Sequence, residues 1–239
     1  MGPDNHMLTF PVNAGKTLNV VAFHTTPDSW KEYPRLTRDG TREEALRDFN
    51  GYGPNVTKLL KLCDPKLSIV CPLLSNKQAT YKDNASAITN NHPPQWGIFD
   101  LAEHPVPTFF KNRIAISGDA AHATSPHHGA GAGFCLEDTA VLATLLADPR
   151  VRSHSELEDV LAVFDASRRE RTQWLVQSSR FIGDCYEWRA DGVGRDFGKI
   201  EEAINYRNGI ITDADVAGMC REAKESLGRG LGVRKNASL

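Results

Sequence analysis

Two runs of mostly apolar, β-rich residues stand near the start of the chain and predict a pair of strands. They cover Met7–Val12 and Thr17–Phe23. Between them lies Asn13-Ala14-Gly15-Lys16, a short segment that contains turn-forming residues. Strand-like runs joined by so short a turn are typical of a β-hairpin.

Two helices are predicted after the hairpin. Thr41 and Glu44 have the spacing of a capping box, in which each side chain bonds the backbone N–H of the other residue, and this predicts a helix over Glu44–Phe49. Pro54 stands where proline is well tolerated, at the first position of a second helix that continues over Val56–Leu62.

The second half of the chain is predicted to be mainly helical. A short apolar run predicts a strand over Arg113–Ser117, and helices are predicted at about Phe134–Leu146, Leu157–Tyr186 and Asp213–Ser226. The tail Gly228–Leu239 is rich in glycine and basic residues and is expected to be frayed.

Composition and charge narrow the classes of function. The chain has 239 residues, of which 40% are hydrophobic and 24% charged, with a net charge of −2, which is typical of one or two globular domains. The balance of charges gives no basic face for nucleic acid, and no apolar run is long enough for an integral membrane segment. The five cysteines are widely spaced without a CxxC pair, which favours a reducing, cytoplasmic compartment over a disulfide scaffold.

The residues from Arg113 to Leu146 carry the strongest indication of chemistry. The predicted strand ends in Gly118-Asp119, and a loop with three histidines, a proline and alternating Gly and Ala leads into a helix. We call Gly129–Gly133 the glycine loop. Such a loop at a helix N-terminus brings backbone N–H groups against an anionic or electron-rich cofactor, because no side chains block the approach.

The segment GDAAHATSPHHGAGAG resembles the second FAD-binding motif of the aromatic-ring flavoprotein monooxygenases, the salicylate-hydroxylase-like group. His6–Phe23 is similar to the hairpin of that family's middle domain, and Phe164–Arg180 is similar to a late helix. The resemblance covers about Gly2–Ser68 and Trp96–Glu225. It implies an α/β fold with an α+β portion, in which a middle β-sheet substrate domain is followed by the glycine loop and helices of the FAD-binding domain.

The GxGxxG unit with which this family begins is absent from the sequence. In the family, that unit holds the FAD pyrophosphate at a helix N-terminus. The resemblance therefore implies an N-terminally truncated chain. We expect a partial substrate-binding domain over residues 1–100, the C-terminal part of the FAD-binding domain over 101–227 and a flexible tail over 228–239.

An insertion is predicted at about residues 70–95, where the family pattern would continue almost without interruption. Val70–Gln95 is rich in Asn, Ser and Pro and has no clear period, which is typical of a loop. Two explanations stay open: an ordinary loop insertion, or a translated intron, because Val70-Cys71, Thr89-Asn90 and Gln95 can be encoded by donor, branch-point and acceptor sequences. A spliced transcript that lacks these codons would support the intron, and an unbroken dominant transcript would contradict it.

The resemblance implies a set of cofactor-binding residues around the glycine loop. Asp119 would accept a hydrogen bond from a ribityl hydroxyl of FAD, although this carboxylate could instead cap the following turn. The N–H groups of the loop, with the positive end of the helix dipole, would stabilise negative charge at N1/O2 of the reduced flavin. The full set is Gly118, Asp119, Pro126, Gly129, Ala130, Gly131, Ala132 and Gly133.

Pro126 and His127 are the catalytic residues that the resemblance implies on the substrate side of the flavin. Pro126 would shape the loop, and His127 would orient or deprotonate a phenol, because imidazole titrates near neutral pH. An ordinary loop histidine is the alternative. His6 is a candidate substrate contact, with a satisfied hairpin histidine as the alternative, and His128 is expected to face solvent. The loop histidines lack metal-ligand spacing, so no metal site is expected.

Charged residues on two helices are expected to be structural. Glu137 and Asp138 stand in the first turn after the loop, where acidic residues interact favourably with the helix dipole. Arg168, Arg169 and Arg171 predict a charged helical face at a domain interface.

The resemblance implies an FAD-dependent monooxygenase that uses NAD(P)H and O₂ to hydroxylate a phenolic or related small aromatic substrate, in a fungal catabolic or secondary-metabolic setting. A second interpretation is a catalytically inactive remnant, which cannot hold FAD without the GxGxxG unit. The sequence leaves open the oligomeric state, the choice between NADH and NADPH, and the exact aromatic compound.

Overall fold

The chain forms two compact units that combine helices and small sheets, in agreement with the predicted α/β class. The computed structural model describes residues 1–26, 30–62 and 94–237. The first unit comprises Met1–Ile98 and Asp184–Arg195, and the second comprises Phe99–Gly183 and Asp196–Leu239.

The predicted hairpin is present in the first unit. Strands β1 (Asn5–Val12) and β2 (Thr17–His24) pair antiparallel over their whole length. Asn13 and Ala14 have φ of 53°, and Gly15 has φ of 82°. Left-handed backbone is favoured by glycine and tolerated by asparagine, so two of these turn residues suit the conformation that the turn requires.

The two helices predicted after the hairpin are also confirmed. Helix α1 (Arg42–Asp48) has the capping box, because the Glu44 N–H donates to Thr41 Oγ1 at 3.1 Å and the Thr41 N–H donates to Glu44 Oε2 at 2.8 Å. Helix α2 (Pro54–Leu62) begins at its proline. The buried residues Ala45 in α1, Phe49 directly after α1 and Leu60 in α2 pack together.

A second small sheet in the first unit joins β3 (Thr37–Asp39) to β4 (Pro94–Trp96) in antiparallel pairing. The insertion predicted at residues 70–95 lies outside the described residues, except for Pro94 and Gln95 in β4. Its origin therefore stays a hypothesis.

The strand predicted over Arg113–Ser117 is shorter in the structure. Strand β5 (Phe110–Lys111) pairs antiparallel with β6 (Ile114–Ala115). Asn112, with φ of 54°, turns the chain directly back between them. Within residues 94–237 and the other described ranges, β6 pairs with no further strand, so nothing extends it beyond two residues.

Two of the predicted helices are confirmed, and another was missed. Helices α4 (Gly131–Leu146) and α5 (His154–Tyr186) each begin about one turn before the predicted start. Helix α6 (Phe197–Thr212) was not predicted, although the Asp196 side chain caps it by accepting the Lys199 N–H at 3.1 Å. Helix α3 (Asp119–His122) is a single turn. None of the helices that the structure describes is long and apolar enough to cross a membrane.

Helix α7 (Val216–Ala237) is longer than the helix predicted over Asp213–Ser226. It continues into Gly228–Leu239, the segment that was expected to be frayed. Leu227 and Leu231 lie one turn apart and are both buried. Burial of this apolar stripe outweighs the low helix propensity of the nearby glycines.

The core of the second unit is built by apolar side chains from α4, α5 and α7, together with Phe109 before β5 and Ala121 in α3. Its buried members are Phe109, Ala121, Val141, Leu145, Val160, Phe164, Ala223, Leu227 and Leu231.

Replacing Leu227 tests the packing of α7. Leu227 is fully buried, so Leu227→Ala removes apolar contacts and leaves a cavity, which should lower the free energy of unfolding by about 2–5 kcal/mol. Leu146→Ala is the matched control, because this leucine is 47% exposed and should change the free energy by about 0.5 kcal/mol. Urea unfolding followed by circular dichroism measures both, and equal losses would contradict the packing.

A buried aspartate just after α4 is bonded by an arginine that also contacts α7. Arg150 donates to Asp148 from Nε at 2.8 Å and from Nη2 at 2.7 Å. Arg150 Nη2 also donates to the carbonyl of Lys224 at 3.0 Å. The side-chain hydrogen bonds from Arg150 lower the pKa of Asp148 to about 2, so the folded chain favours the ionised carboxylate.

The stability that Asp148 contributes should depend on pH. Because its pKa is lower in the folded than in the unfolded chain, the contribution is complete at neutral pH and is lost as the pH falls from about 4 to about 2. Asp148→Asn should lower the midpoint of thermal unfolding at neutral pH by about 2–4 °C. Its difference from the unsubstituted chain should shrink below about pH 4; a constant difference down to about pH 3 would contradict the ion pair.

Candidate functional site

The chain passes from β6 into helix α3 (Asp119–His122) through a glycine. Gly118 has φ of 60° and ψ of −144°, a conformation that favours glycine. A Cβ at this position would lie 3.2 Å from Sγ of Cys135. Asp119, the predicted partner of the ribityl chain, is the exposed first residue of α3.

The glycine loop leads from a short 3-10 turn into α4. This turn covers Pro126–His128 and ends at Gly129, which has φ of 65° and donates its N–H to the Pro126 carbonyl at 3.0 Å. The N-cap of α4, Ala130, supplies no side-chain hydrogen bond. A Cβ at Gly129 or Gly133 would meet no atom within 4 Å. The loop therefore presents bare backbone at the positive end of the α4 dipole.

A cavity of about 460 Å³ opens beside this backbone. Its lining combines the start of α4 with residues at the end of α6 and the start of α7. These residues are Gly129, Ala130, Gly133, Phe134, Leu136, Glu137, Ala140, Ile211 and Val216. A mainly apolar cavity of this size is suited to a ligand that contains a ring system.

The structure holds His127 against α5. Its Nδ1 lies 3.0 Å from Oγ of Ser125. The ring also packs closely on Gly183, where a Cβ would lie 2.6 Å from Cε1 of the imidazole. Glycine at position 183 therefore leaves the space that the imidazole occupies.

His128 was expected to face solvent, but it does not. It is half-buried, and its Nε2 lies 2.9 Å from Oγ of Ser178 on α5. Burial lowers the pKa of His128, although hydrogen bonds oppose this effect. The prediction was wrong because it treated a polar loop as exposed, whereas the 3-10 turn packs against a long helix.

Two arginines and two carboxylates form a buried network between α4 and α5. Arg168 is 0% exposed; its Nε donates to Asp138 Oδ1 at 2.8 Å, and its Nη2 lies 2.7 Å from Glu137 Oε2. Arg171 donates to both oxygens of Glu137, at 2.8 and 2.9 Å. Arg168 was expected on a charged face with its neighbours Arg169 and Arg171. Its burial is possible because two carboxylates neutralise it.

Both carboxyl groups of this network favour the ionised form. Burial raises the pKa of each carboxyl group, but hydrogen bonds lower it by more, so the net shift is downward. These bonds come from Arg171 and Arg168 to Glu137, and from His122 and Arg168 to Asp138. An ionised carboxylate can only accept, so His122 Nε2, 2.7 Å from Asp138 Oδ2, is the donor. The side-chain partners of Asp138 are 16 and 30 residues away in the chain, which hides the network from local sequence patterns.

His6 lies in the first unit, whereas the glycine loop lies in the second. The His6 ring is buried, stacks on Phe23 at a centroid distance of 4.3 Å, and places Nδ1 2.9 Å from Glu187 Oε1. Burial lowers the pKa of His6, and the neighbouring Glu187 acts in the opposite direction. These contacts are those of a structural histidine, and a contact with substrate stays a prediction.

The structure brings most of the predicted site residues together in one unit. Gly118, Asp119 and the segment from Pro126 to Gly133 all belong to the second unit. Their roles toward a cofactor or substrate stay predictions. Among the described side chains, no group of three or more His, Cys, Asp or Glu could hold a metal ion.

Comparisons with known sequences show which proteins the chain is similar to. A family model described as an FAD binding domain matches residues 76–179. The FAD-dependent monooxygenase pigN of Monascus ruber is 40% identical over 97% of this chain and 49% of that protein. A salicylate hydroxylase of Sarocladium schorii is 34% identical over 94% of this chain and 45% of that protein. The chain thus spans about half the length of the curated relatives it matches.

Comparison with solved structures gives the same result for the fold. A salicylate hydroxylase in a substrate complex matches with a TM-score of 0.73 and 32% identity, over 92% of this chain and 47% of that one. HpxO of Klebsiella pneumoniae, complexed with FAD and uric acid, matches with a TM-score of 0.53 and 21% identity, over 94% and 46%, which shows the fold alone. The resemblance and the fold class inferred from the sequence are confirmed.

Gly183→Ala tests the contact between His127 and α5. In an ordinary helix interior, this change stabilises the fold by about 0.5–1 kcal/mol. Here the new Cβ would overlap the imidazole, so we expect displaced His127 ring signals in NMR spectra and no gain in stability. Gly209→Ala in α6 is the matched control, because its Cβ would meet its nearest atom at 3.6 Å. Unchanged His127 signals together with the ordinary gain at position 183 would contradict the packing.

Proposed function

Because this chain is a relative of the FAD-dependent monooxygenases, we propose that it carries the flavin site of an enzyme that hydroxylates a phenolic or related small aromatic substrate with NAD(P)H and O₂. The observation that carries this proposal is the bare backbone of the glycine loop beside an apolar cavity. FAD has an aromatic ring system with an electron-rich edge, and both features suit this arrangement.

The residues of the chain supply binding and electrostatics for the flavin. The N–H groups of the glycine loop and the α4 dipole favour negative charge, which the reduced flavin carries at one edge. Glu137, a charged residue in the cavity lining, is neutralised by Arg168 and Arg171, so it does not oppose that charge. When bound, FAD would supply the redox chemistry with NAD(P)H and O₂.

Two side chains near the loop have proposed roles toward the ligands. Asp119 is exposed at the start of α3 and would accept a hydrogen bond from a ribityl hydroxyl. His127 would orient or deprotonate a phenol, which makes the ring more electron-rich. A catalytic base needs a further group that fixes its orientation, and the Ser125 hydroxyl and the contact with Gly183 supply this for the imidazole.

The visible spectrum of the purified chain, recorded after FAD is added and the excess removed, tests the proposal. Retained flavin absorbance that shifts when phenolic acids are added would support it. A colourless protein would contradict it for this chain and favour the interpretation as an inactive remnant.

Gly133→Leu should separate binding at the loop from effects on folding. A Cβ at Gly133 meets no atom within 4 Å, and leucine has a higher helix propensity than glycine, so the fold should be kept. The side chain would occupy space that we assign to the flavin, and affinity for FAD should fall at least about tenfold, or ~1.4 kcal/mol. Titration followed by flavin fluorescence measures the affinity.

Gly230→Leu is the matched control for this substitution. Gly230 is also an exposed helical glycine whose Cβ would meet no atom within 4 Å, but it lies in α7. This variant should bind FAD as the unsubstituted chain does. Equal affinities for the two leucine variants would place the flavin elsewhere.

A further inference from the structure

One buried carboxylate connects three helices and the glycine that leads into the first of them. Asp138, on α4, is 2% exposed. Its Oδ2 accepts hydrogen bonds from His122 Nε2 on α3 at 2.7 Å and from the Gly118 N–H at 3.1 Å. Its Oδ1 accepts from Arg168 Nε on α5 at 2.8 Å. The carboxylate is therefore the shared acceptor for donors that come from separate parts of the chain.

The position of this carboxylate is fixed from the other side by Arg168. This guanidinium is fully buried and also lies 2.7 Å from Glu137 and 3.4 Å from the Phe134 carbonyl. A planar guanidinium with several partners has a defined orientation. Arg168 therefore holds Asp138 in place, and the two carboxylates on α4 balance its charge together with that of Arg171.

The bond from Asp138 to Gly118 acts on a special point of the backbone. Gly118 has a positive φ, and its peptide orientation sets the direction in which the chain leaves β6. The next residue is Asp119, whose carboxylate we assign to the ribityl chain of FAD. A change in the orientation of the Gly118 peptide would therefore also change the direction of the Asp119 side chain.

We infer that Asp138, held by Arg168, is a positioning residue for the flavin: it fixes the Gly118 peptide and through it aligns the Asp119 carboxylate with the ribityl chain. This inference rests on the proposed function. It differs from a general role in stability, because it requires that the effect of Asp138 on FAD binding passes through Asp119.

Asp138→Asn preserves the shape of the side chain and removes its charge. In the chain without FAD, amide hydrogen exchange at Gly118 should become at least about tenfold faster, because its acceptor is weakened. The affinity for FAD should also fall about tenfold, a typical effect within one hydrogen-bond network. Asp119→Ala should weaken binding strongly in the unsubstituted chain, but add less than about twofold in the Asp138→Asn background.

Asp148→Asn is the matched control. Asp148 is also a buried aspartate paired with an arginine, but it lies at the other end of α4 and does not contact Gly118. This variant should lose stability while keeping the exchange rate at Gly118, the affinity for FAD and the full effect of Asp119→Ala.

The outcomes separate this inference from the proposed function. If the unsubstituted chain binds no FAD, the proposed function fails and this inference fails with it. If it binds FAD, but Asp138→Asn leaves the affinity unchanged or Asp119→Ala has its full effect in both backgrounds, only the positioning role is overturned. If Asp138→Asn does not fold, Arg168→Lys takes its place, because this variant keeps the charge but loses the guanidinium geometry. The affinity for FAD and the effect of Asp119→Ala are then measured in the Arg168→Lys background.

Discussion

An ionised carboxylate inside a protein is costly unless the charges and hydrogen bonds around it compensate for the loss of water. Asp138 meets this condition with an arginine, a histidine and a backbone N–H. Because the cost returns when any of these donors moves away, the requirement holds α3, α4, α5 and the Gly118 backbone in one arrangement. The site described above depends on this arrangement, although none of the three donors lies in the glycine loop itself.

In the first two turns of helix α4, some polar groups are left open and others are fully paired. At its start, the glycine loop leaves the first N–H groups without a side-chain cap, as a helix can do where a ligand or water satisfies them. In its second turn, Glu137 and Asp138 are both paired with the buried Arg168, and Glu137 is also paired with Arg171. The ion pairs fix the second turn next to the open one, and donors that are already in place need no reorganisation when a ligand binds.

Local features of this fold were predictable from the sequence, and features that depend on distant partners were not. The capping box at Thr41 and the proline start of α2 are set by neighbouring residues, so their patterns sufficed. The helical end of α7 was missed because its glycines argue against a helix locally, while Leu227 and Leu231 stabilise it through burial. The glycine loop was found from its pattern, whereas the burial of Arg168 depends on carboxylates on another helix.

Helix α5 also fixes the spacing between three contacts of the site. It bonds Asp138 through Arg168, contacts His128 through Ser178 and contacts His127 at Gly183. These points extend over about 22 Å of one helix, at ~1.5 Å per residue. Loss or gain of a single residue between the first and the last would rotate one against the other by about 100°. A substitution in this stretch leaves the spacing unchanged, whereas an inserted or deleted codon would separate the histidines from the buried charges.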